Sequence, residues 1–132
     1  MASWIRAAAS IDVPGPVDTF AYGINDSGQI VGIVNHPGQN PTGFFLDVDG
    51  SFTTIDVPRT SETFAVGINN SGQIVGFFGA IGENGFLDTG GSFTTIDIGP
   101  LPFDTFAFGI NNSGQIGGAE TGGIAAPTVG QR

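Results

Sequence analysis

The stretch Gly23-Ile24-Asn25-Asp26-Ser27-Gly28-Gln29-Ile30 occurs three times in this chain of 132 residues and decides its fold. It returns as residues 67–74 and as residues 109–116, with only the fourth position changed from Asp to Asn. The second copy begins 44 residues after the first, and the third begins 42 residues after the second. An internal period of this length is typical of architectures in which neighbouring units stack on one another.

A second motif, Ser51-Phe52-Thr53-Thr54-Ile55-Asp56, returns at residues 92–97, and its remnant Ser10-Ile11-Asp12-Val13 lies near the start of the chain. Each unit of roughly 42 residues reads as two β-hairpins. One turns at Asp49-Gly50 and the other at Asn69-Asn70-Ser71-Gly72, because Asn, Asp and Gly tolerate the backbone conformations of tight turns. The sequence therefore predicts an all-β fold built from three tandem four-strand units.

The length of the chain predicts a single domain over residues 1–132, with repeat units at approximately 10–42, 43–84 and 85–118. Residues 119–130 are expected to act as a closing strand, because they follow the third unit where one strand type is still missing. Three units of four strands give twelve strands, with one unit completed from both ends of the chain. Such closure removes exposed sheet edges.

Large and small side chains alternate in the strand that precedes each Asn turn. In the second unit Phe64, Val66 and Ile68 are large, whereas Ala65 and Gly67 are small. Because successive side chains of a strand point to opposite faces, the pattern predicts one large apolar face and one nearly bare face. The large side chains of one unit would then fill the space over the small ones of the next.

The composition excludes several classes of protein. Twelve acidic residues and three arginines give a formal net charge of −9, which repels nucleic-acid phosphates and anionic membrane surfaces. The absence of cysteine excludes disulfides, thiolate metal sites and cysteine nucleophiles. No apolar run is long enough to cross a bilayer, so no membrane insertion is expected. An acidic surface attracts cations such as calcium, although the same charge also keeps a β-rich surface soluble.

His36 is the only histidine and lies in the predicted loop Asn35-His36-Pro37-Gly38. It is the candidate catalytic residue, although a loop histidine is more often simply solvated. The chain has no Gly-x-Ser-x-Gly sequence of a serine hydrolase and no lysine for a Schiff base. It also has no phosphate-binding or dinucleotide-binding glycine motif, so no organic cofactor is expected.

Carboxylates recur at two positions of every unit. One set closes the Ile-Asp strand and the other precedes the Thr-Phe-Ala strand. The two sets are Asp12, Asp56 and Asp97, and Asp18, Glu62 and Asp104. Repetition about an axis would bring like groups together, and calcium binds six to eight such oxygens, so these six residues are the candidate metal ligands. The alternative is that the carboxylates blunt strand edges and that the Asn residues of the turn motif cap turns.

The two motifs resemble the HAF-type extracellular repeat of bacteria, in which a Gly-Ile-Asn-Asn-x-Gly-Gln-Ile-Val-Gly run follows a Phe-Thr-x-Ile-Asp-x-Pro run. The resemblance covers residues 10–118, and the third copy departs from it with Gly117-Gly118 in place of Val-Gly. It implies a secreted or cell-surface bacterial protein with a β-propeller-like architecture. Residues 1–9 are too short for a complete signal peptide, so export is not readable from the chain itself.

The architecture has two interpretations. Three blades do not close a propeller, because closed rings typically hold four to eight. The favoured interpretation is therefore half of a six-bladed β-propeller that is completed by a homodimer. The alternative is a monomeric β-trefoil or β-prism, which also uses twelve strands with three-fold symmetry. The meander of short hairpins favours blades.

Three functions follow from these features. The first is an extracellular β-repeat module for ligand binding or assembly, with calcium as a candidate ligand. The second is a calcium-dependent hydrolase of lactones or esters, by analogy of fold with six-bladed propeller lactonases. In that case Asp18, Glu62 or Asp104 would bind calcium and His36 would act as the base. The third is a carbohydrate-binding, lectin-like domain.

Overall fold

Short β-strands make up the regular structure of the chain. A computed structural model describes residues 15, 17–80, 82–97, 104–121 and 128–131. These residues form eleven strands and no helix, hence no helix that could cross a membrane. In chain order the strands are β1 (Asp18–Ile24), β2 (Ile30–Asn35), β3 (Thr42–Leu46), β4 (Phe52–Ile55), β5 (Glu62–Ile68), β6 (Ile74–Ala80), β7 (Gly82–Thr89), β8 (Ser92–Ile96), β9 (Asp104–Ile110), β10 (Ile116–Thr121) and β11 (Thr128–Gln131).

The strands form three separate antiparallel sheets, each a meander of consecutive strands. The first sheet has the order β1-β2-β3-β4, the second β5-β6-β7-β8 and the third β9-β10-β11. The prediction of an all-β fold is therefore confirmed. The motif remnant at residues 10–13 lies outside the described residues. Of the closing strand expected at residues 119–130, residues 119–121 belong to β10, and β11 pairs with β10 in the third position of its sheet.

The sheets begin and end at different positions from the repeat units of the sequence. Each sheet begins at the Thr-Phe-Ala strand, so the sheets span residues 18–55, 62–96 and 104–131. The hairpin at Asp49-Gly50 consequently shares a sheet with the Asn turn before it and not with the one after it. Pro58 contributes to this division, because it lies between β4 and β5 and has no N–H to extend a ladder.

A β-bulge in the first strand of each sheet overturns the simple alternation of faces. In β5 the register with β6 shifts between Ala65 and Gly67, and β1 and β9 have the same shift. Ala65 and Ile68 consequently belong to the same apolar cluster, packed toward the first sheet. Gly67 instead lies against Gly109 of the third sheet. The prediction that Ile68 shares a face with Phe64 is wrong, because a bulge inserts one extra residue.

Among the described residues, two apolar clusters form layers between consecutive sheets, one between each pair. The first layer includes Val31 of β2, Ala65 of β5 and Phe86 of β7. The second joins Val75 of β6 to Ala107 of β9. The first strand of each following sheet makes the main contacts, since β5 packs across β1, β2 and β3, and β9 packs across β5, β6 and β7. Each layer needs two sheets, as expected for units that cannot bury their faces alone.

Candidate functional site

The Asn turn is closed by the side chain of its first residue. In the second copy, Asn69 Oδ1 accepts hydrogen bonds from the backbone N–H groups of Ser71 at 3.1 Å and Gln73 at 2.9 Å. Asn69 Nδ2 donates to Gln73 Oε1 at 2.8 Å. Gly72 takes a positive φ of 82°, which glycine adopts without steric cost. The other two copies have the same bonds, so the motif is a complete turn in each unit.

The same asparagines also join one turn to the next. Asn25 Nδ2 donates to the backbone oxygen of Asn69 at 3.0 Å, and Asn69 Nδ2 donates to that of Asn111 at 3.0 Å. The central Asn69 is only 3% exposed. Hydrogen bonds of this kind are worth more away from water, because a buried amide that loses its partner is not rehydrated.

A second set of bonds follows one residue later. The backbone N–H of Asp26 donates to Asn70 Oδ1 at 2.8 Å, and Asn70 Nδ2 donates back to Asp26 Oδ2 at 2.8 Å. The backbone N–H of Asn70 donates in turn to Asn112 Oδ1 at 2.7 Å. We call the two sets together the Asn ladder. It links all three sheets through their equivalent turns.

Glycines two residues before each turn let the backbones of consecutive sheets touch. A Cβ atom on Gly23 would lie 3.1 Å from Val66 O and 3.3 Å from Gly67 Cα. A Cβ atom on Gly67 would lie 3.1 Å from Gly109 Cα and 3.3 Å from Phe108 O. The first glycine of the motif is therefore required by the close approach of two sheets. Glycine backbone of one sheet therefore lies against glycine backbone of the next. The sequence predicts instead that large side chains of one unit cover small ones of the next.

Near its Asn turn, the first sheet leaves uncovered the face that the later sheets bury, whereas Val34 and Phe44, farther along the same face, are buried in the single chain. Ile68 of β5 is 8% exposed because it packs toward the first sheet, whereas its equivalent Ile24 in β1 is 67% exposed. Ala21 is likewise exposed. We call the exposed surface formed by Ala21, Ile24 and Asp26, beside the buried Asn25, the leading face. It is apolar on its strand and polar at its turn.

The third sheet leaves uncovered the other half of the same interface. A Cβ atom on Gly109 or Gly117 would meet no heavy atom within 4 Å. Asn111 and Asn112 are exposed. Among the described residues, the Asn111 side chain bonds only within its own turn. We call the surface formed by Gly109, Gly117, Asn111 and Asn112 the trailing face. The leading and trailing faces are the two halves of the turn end of an interface that the chain makes twice internally.

Three carboxylates lie close together between the second and third sheets. The backbone N–H of Glu83 donates to Asp104 Oδ1 at 2.9 Å, and Glu62 and Glu83 both pair with Gly79 from the two strands beside it. Burial raises the pKa of Glu83, and the charges of Glu62 and Asp104 and a hydrogen bond with Glu62 raise it further. Glu83 Oε1 is buried and has no hydrogen-bond partner among the described residues. The ionised form of Glu83 is therefore disfavoured in the folded protein.

Glu83→Gln is expected to stabilise the protein at neutral pH and to have little effect near pH 4. Because the pKa of Glu83 is raised on folding, the folded state favours the protonated carboxyl. The stability that this preference contributes is fully present below the ordinary pKa of 4.5 and is lost as the pH rises through the folded value. Glutamine keeps the neutral form at every pH. Urea unfolding at about pH 4 and about pH 7 measures the difference.

Asp97→Asn is the matched control for this substitution, because it removes one carboxylate at an exposed position after β8. It is expected to leave the free energy of unfolding nearly unchanged at both pH values. A gain for Glu83→Gln of the same size at both pH values would contradict the electrostatic explanation. Such a result would point to packing and not to charge.

His36 and Asp18 lie in one open pocket. The pocket has a volume of about 440 Å³, and its lining comprises Gly15, Val17, Asp18, Asn35, His36 and Pro37. Strand pairing brings the two residues together, since Asp18 opposes Asn35 in the ladder of β1 with β2 and His36 follows directly. The predicted catalytic base and one of the predicted metal ligands therefore line the same pocket.

The remaining predicted metal ligands lie at strand ends. Asp56 is exposed after β4, and its Oδ1 accepts a hydrogen bond from Thr63 Oγ1 at 3.5 Å. Asp97 is exposed, and Asp12 lies outside the described residues. In the part of the chain that the structure describes, no three His, Asp or Glu side chains are placed to hold one metal ion. Calcium binding remains a prediction from the sequence.

Comparisons with known proteins give no relative of this chain. No protein-family model matches it, and searches of curated proteins and of solved structures found no similar protein. The HAF-type resemblance stays a prediction that rests on the two motifs.

Proposed function

We propose that this chain is a non-catalytic assembly module of the bacterial cell exterior, built to stack β-sheet units through one repeated interface. The observation that carries the proposal is the pair of uncovered faces. Ile24 is 67% exposed where Ile68 is buried, and Gly109 faces open space where Gly67 meets a neighbouring backbone. The HAF-type resemblance supports the extracellular placement.

The contacts of the repeated interface support selective assembly. The Asn ladder fixes the position of one turn against the next. The contact between backbones requires glycine on both sheets. The apolar layer buries hydrophobic side chains between them. The interface therefore selects units of the same repeat over unrelated sheets.

Half of a six-bladed ring is the architecture that we propose for the module. Each sheet is a meander of sequential antiparallel strands, which is how propeller blades are built. Within the described residues, strand contacts join the first sheet to the second and the second to the third, with none of comparable extent between the first and the third. A three-fold trefoil or prism would bring the first and third units together as well.

Two full copies of the chain joined by a flexible Gly-Ser linker are expected to unfold at a higher temperature than one copy. The linker holds the trailing face of one copy near the leading face of the other at a millimolar effective concentration. Docking then buries Ile24 of one copy and adds two hydrogen bonds between turns to the Asn ladder. A rise in midpoint of about 4 °C or more in thermal unfolding is the expected result.

The control for the linked pair is Gly109→Val in both copies. The substitution adds a side chain on the trailing face, where the single chain has open space. It is expected to return the midpoint to that of a single chain with the same substitution. Equal midpoints for the linked pair and the single chain without any substitution would contradict the proposal that these faces stack.

A further inference from the structure

We infer that a second copy of this chain is the partner, bound head to tail with its leading face on the trailing face of the first copy. The inference rests on the proposed function and adds the identity and register of the partner. Every copy carries both faces, and each face is one half of an interface already present twice in the chain. The leading face of a second copy is therefore complementary to the trailing face of the first.

The close contact of the backbones sets the position of the second copy. Inside the chain, Val66 O and Gly67 Cα lie against Gly23, and Phe108 O and Gly109 Cα lie against Gly67. Continuing the same relation places Tyr22 and Gly23 of the second copy against Gly109 of the first. Gly109 has no heavy atom within 4 Å of the position of a Cβ atom, so the space for this contact is free.

The Asn ladder continues across the same contact. Asn111 Nδ2 would donate to the backbone oxygen of Asn25 of the second copy, as Asn69 Nδ2 does to Asn111. The backbone N–H of Asn112 would donate to the Asp26 carboxylate of the second copy, as that of Asn70 does to Asn112 Oδ1. A carboxylate acceptor makes a shorter and stronger bond than an amide oxygen. Asp26, the one departure from Asn among the three turns, therefore suits the contact between copies.

The apolar part of the contact is weaker than the layers inside the chain. Val31 and Val75 are fully buried in the internal layers, and the third sheet has Gly117 at the equivalent position. Ile24 of the second copy would still be covered, but a valine is missing from the layer, and Val34 and Phe44 of the second copy are already buried in the single chain. The association is consequently expected to be reversible and to depend on concentration. Gly117→Val restores the valine and is expected to tighten the association about tenfold.

Sedimentation equilibrium of the free chain tests the inference. The expected result is a concentration-dependent species of at least twice 13.4 kDa. Gly109→Val on the trailing face and Ile24→Asp on the leading face are each expected to raise the concentration needed for association at least about tenfold. Both positions are uncovered in the single chain, so its thermal midpoint at low concentration should stay unchanged.

Mixing the two variants separates a head-to-tail contact from a symmetric one. Gly109→Val keeps an intact leading face and Ile24→Asp keeps an intact trailing face, so a head-to-tail contact forms in the mixture at concentrations where neither variant associates alone. A symmetric contact of like faces would not be recovered by mixing. A mixture that stays monomeric, or an associated species that neither substitution weakens, would overturn the inference.

The free chain and the linked pair together distinguish the two levels of proposal. A free chain that is monomeric at every concentration, beside a linked pair that is stabilised, would overturn the second copy as the natural partner and leave the stacking function standing. A linked pair without stabilisation would overturn both. Association of the free chain that responds to the variants as expected supports both.

Discussion

Gly76→Ala is expected to lower the free energy of unfolding by more than about 3 kcal/mol, a large part of the stability of a small domain. A Cβ atom on Gly76 would lie only 1.8 Å from Phe64 O and 2.9 Å from Phe86 Cε2. The ring of Phe86 could rotate, but Phe64 O belongs to β5 and pairs with β6 directly before the bulge. The backbone would have to separate there, which would open the second sheet at its first hairpin.

Urea unfolding of Gly76→Ala, followed by circular dichroism, measures this loss. Gly117→Ala is the matched control, because it also adds one methyl group to a paired strand residue but meets no heavy atom within 4 Å. The control is expected to change the free energy of unfolding by no more than about 0.5 kcal/mol. Similar losses for the two variants would show that the close approach at the bulge is not what requires glycine.

Asn69→Ala is expected to cost about 3 kcal/mol, because one side chain makes four hydrogen bonds at a buried position. Its Oδ1 accepts from the N–H groups of Ser71 and Gln73, and its Nδ2 donates to Gln73 Oε1 and to Asn111 O. Alanine leaves two backbone donors and one backbone acceptor without these partners. The loss is measured by urea unfolding at neutral pH, with the slope on denaturant checked for two-state behaviour.

Asn111→Ala isolates the contribution of the Asn ladder. Asn111 makes the same bonds within its own turn, but it is exposed and donates to no further turn among the described residues. Its replacement is expected to cost about 1 kcal/mol, since water can satisfy the groups it leaves. The difference between the two variants measures the inter-turn bond together with its burial. Equal costs would mean that the ladder adds nothing to stability.

Sequence patterns predicted the strands and turns well because these depend on local chemistry. The Asn-x-Ser-Gly turn and the Asp49-Gly50 turn each specify a hairpin through residues that tolerate special backbone angles. The bulge beside Gly67 was not predictable from alternation, since Val66 and Gly67 fit a regular strand equally well. Only the pairing with β6 shows that one residue has been inserted.

The contacts between sheets were the harder part to predict. The asparagines were expected to cap turns, and they do, but a turn uses only one of the two N–H groups on each Nδ2 atom. The second N–H was the available signal for a bond to a neighbouring unit. Glu83 was missed for another reason. It has no counterpart in the repeat, because the first sheet has Pro41 at the equivalent place, so the recurrence of carboxylates gives no signal for it.

Division of the core into layers between consecutive sheets has a consequence for how such a protein evolves. Loss of residues 62–103 would set Ala107 where Ala65 packs and Asn111 where Asn69 bonds, so these contacts of the remaining interface would be kept. Recombination between repeats can therefore lengthen or shorten the chain by whole units without a new interface having to arise. A single residue inserted into the Asn turn would break the bond to the neighbouring unit, so insertions and deletions within a repeat are expected in loops away from that turn.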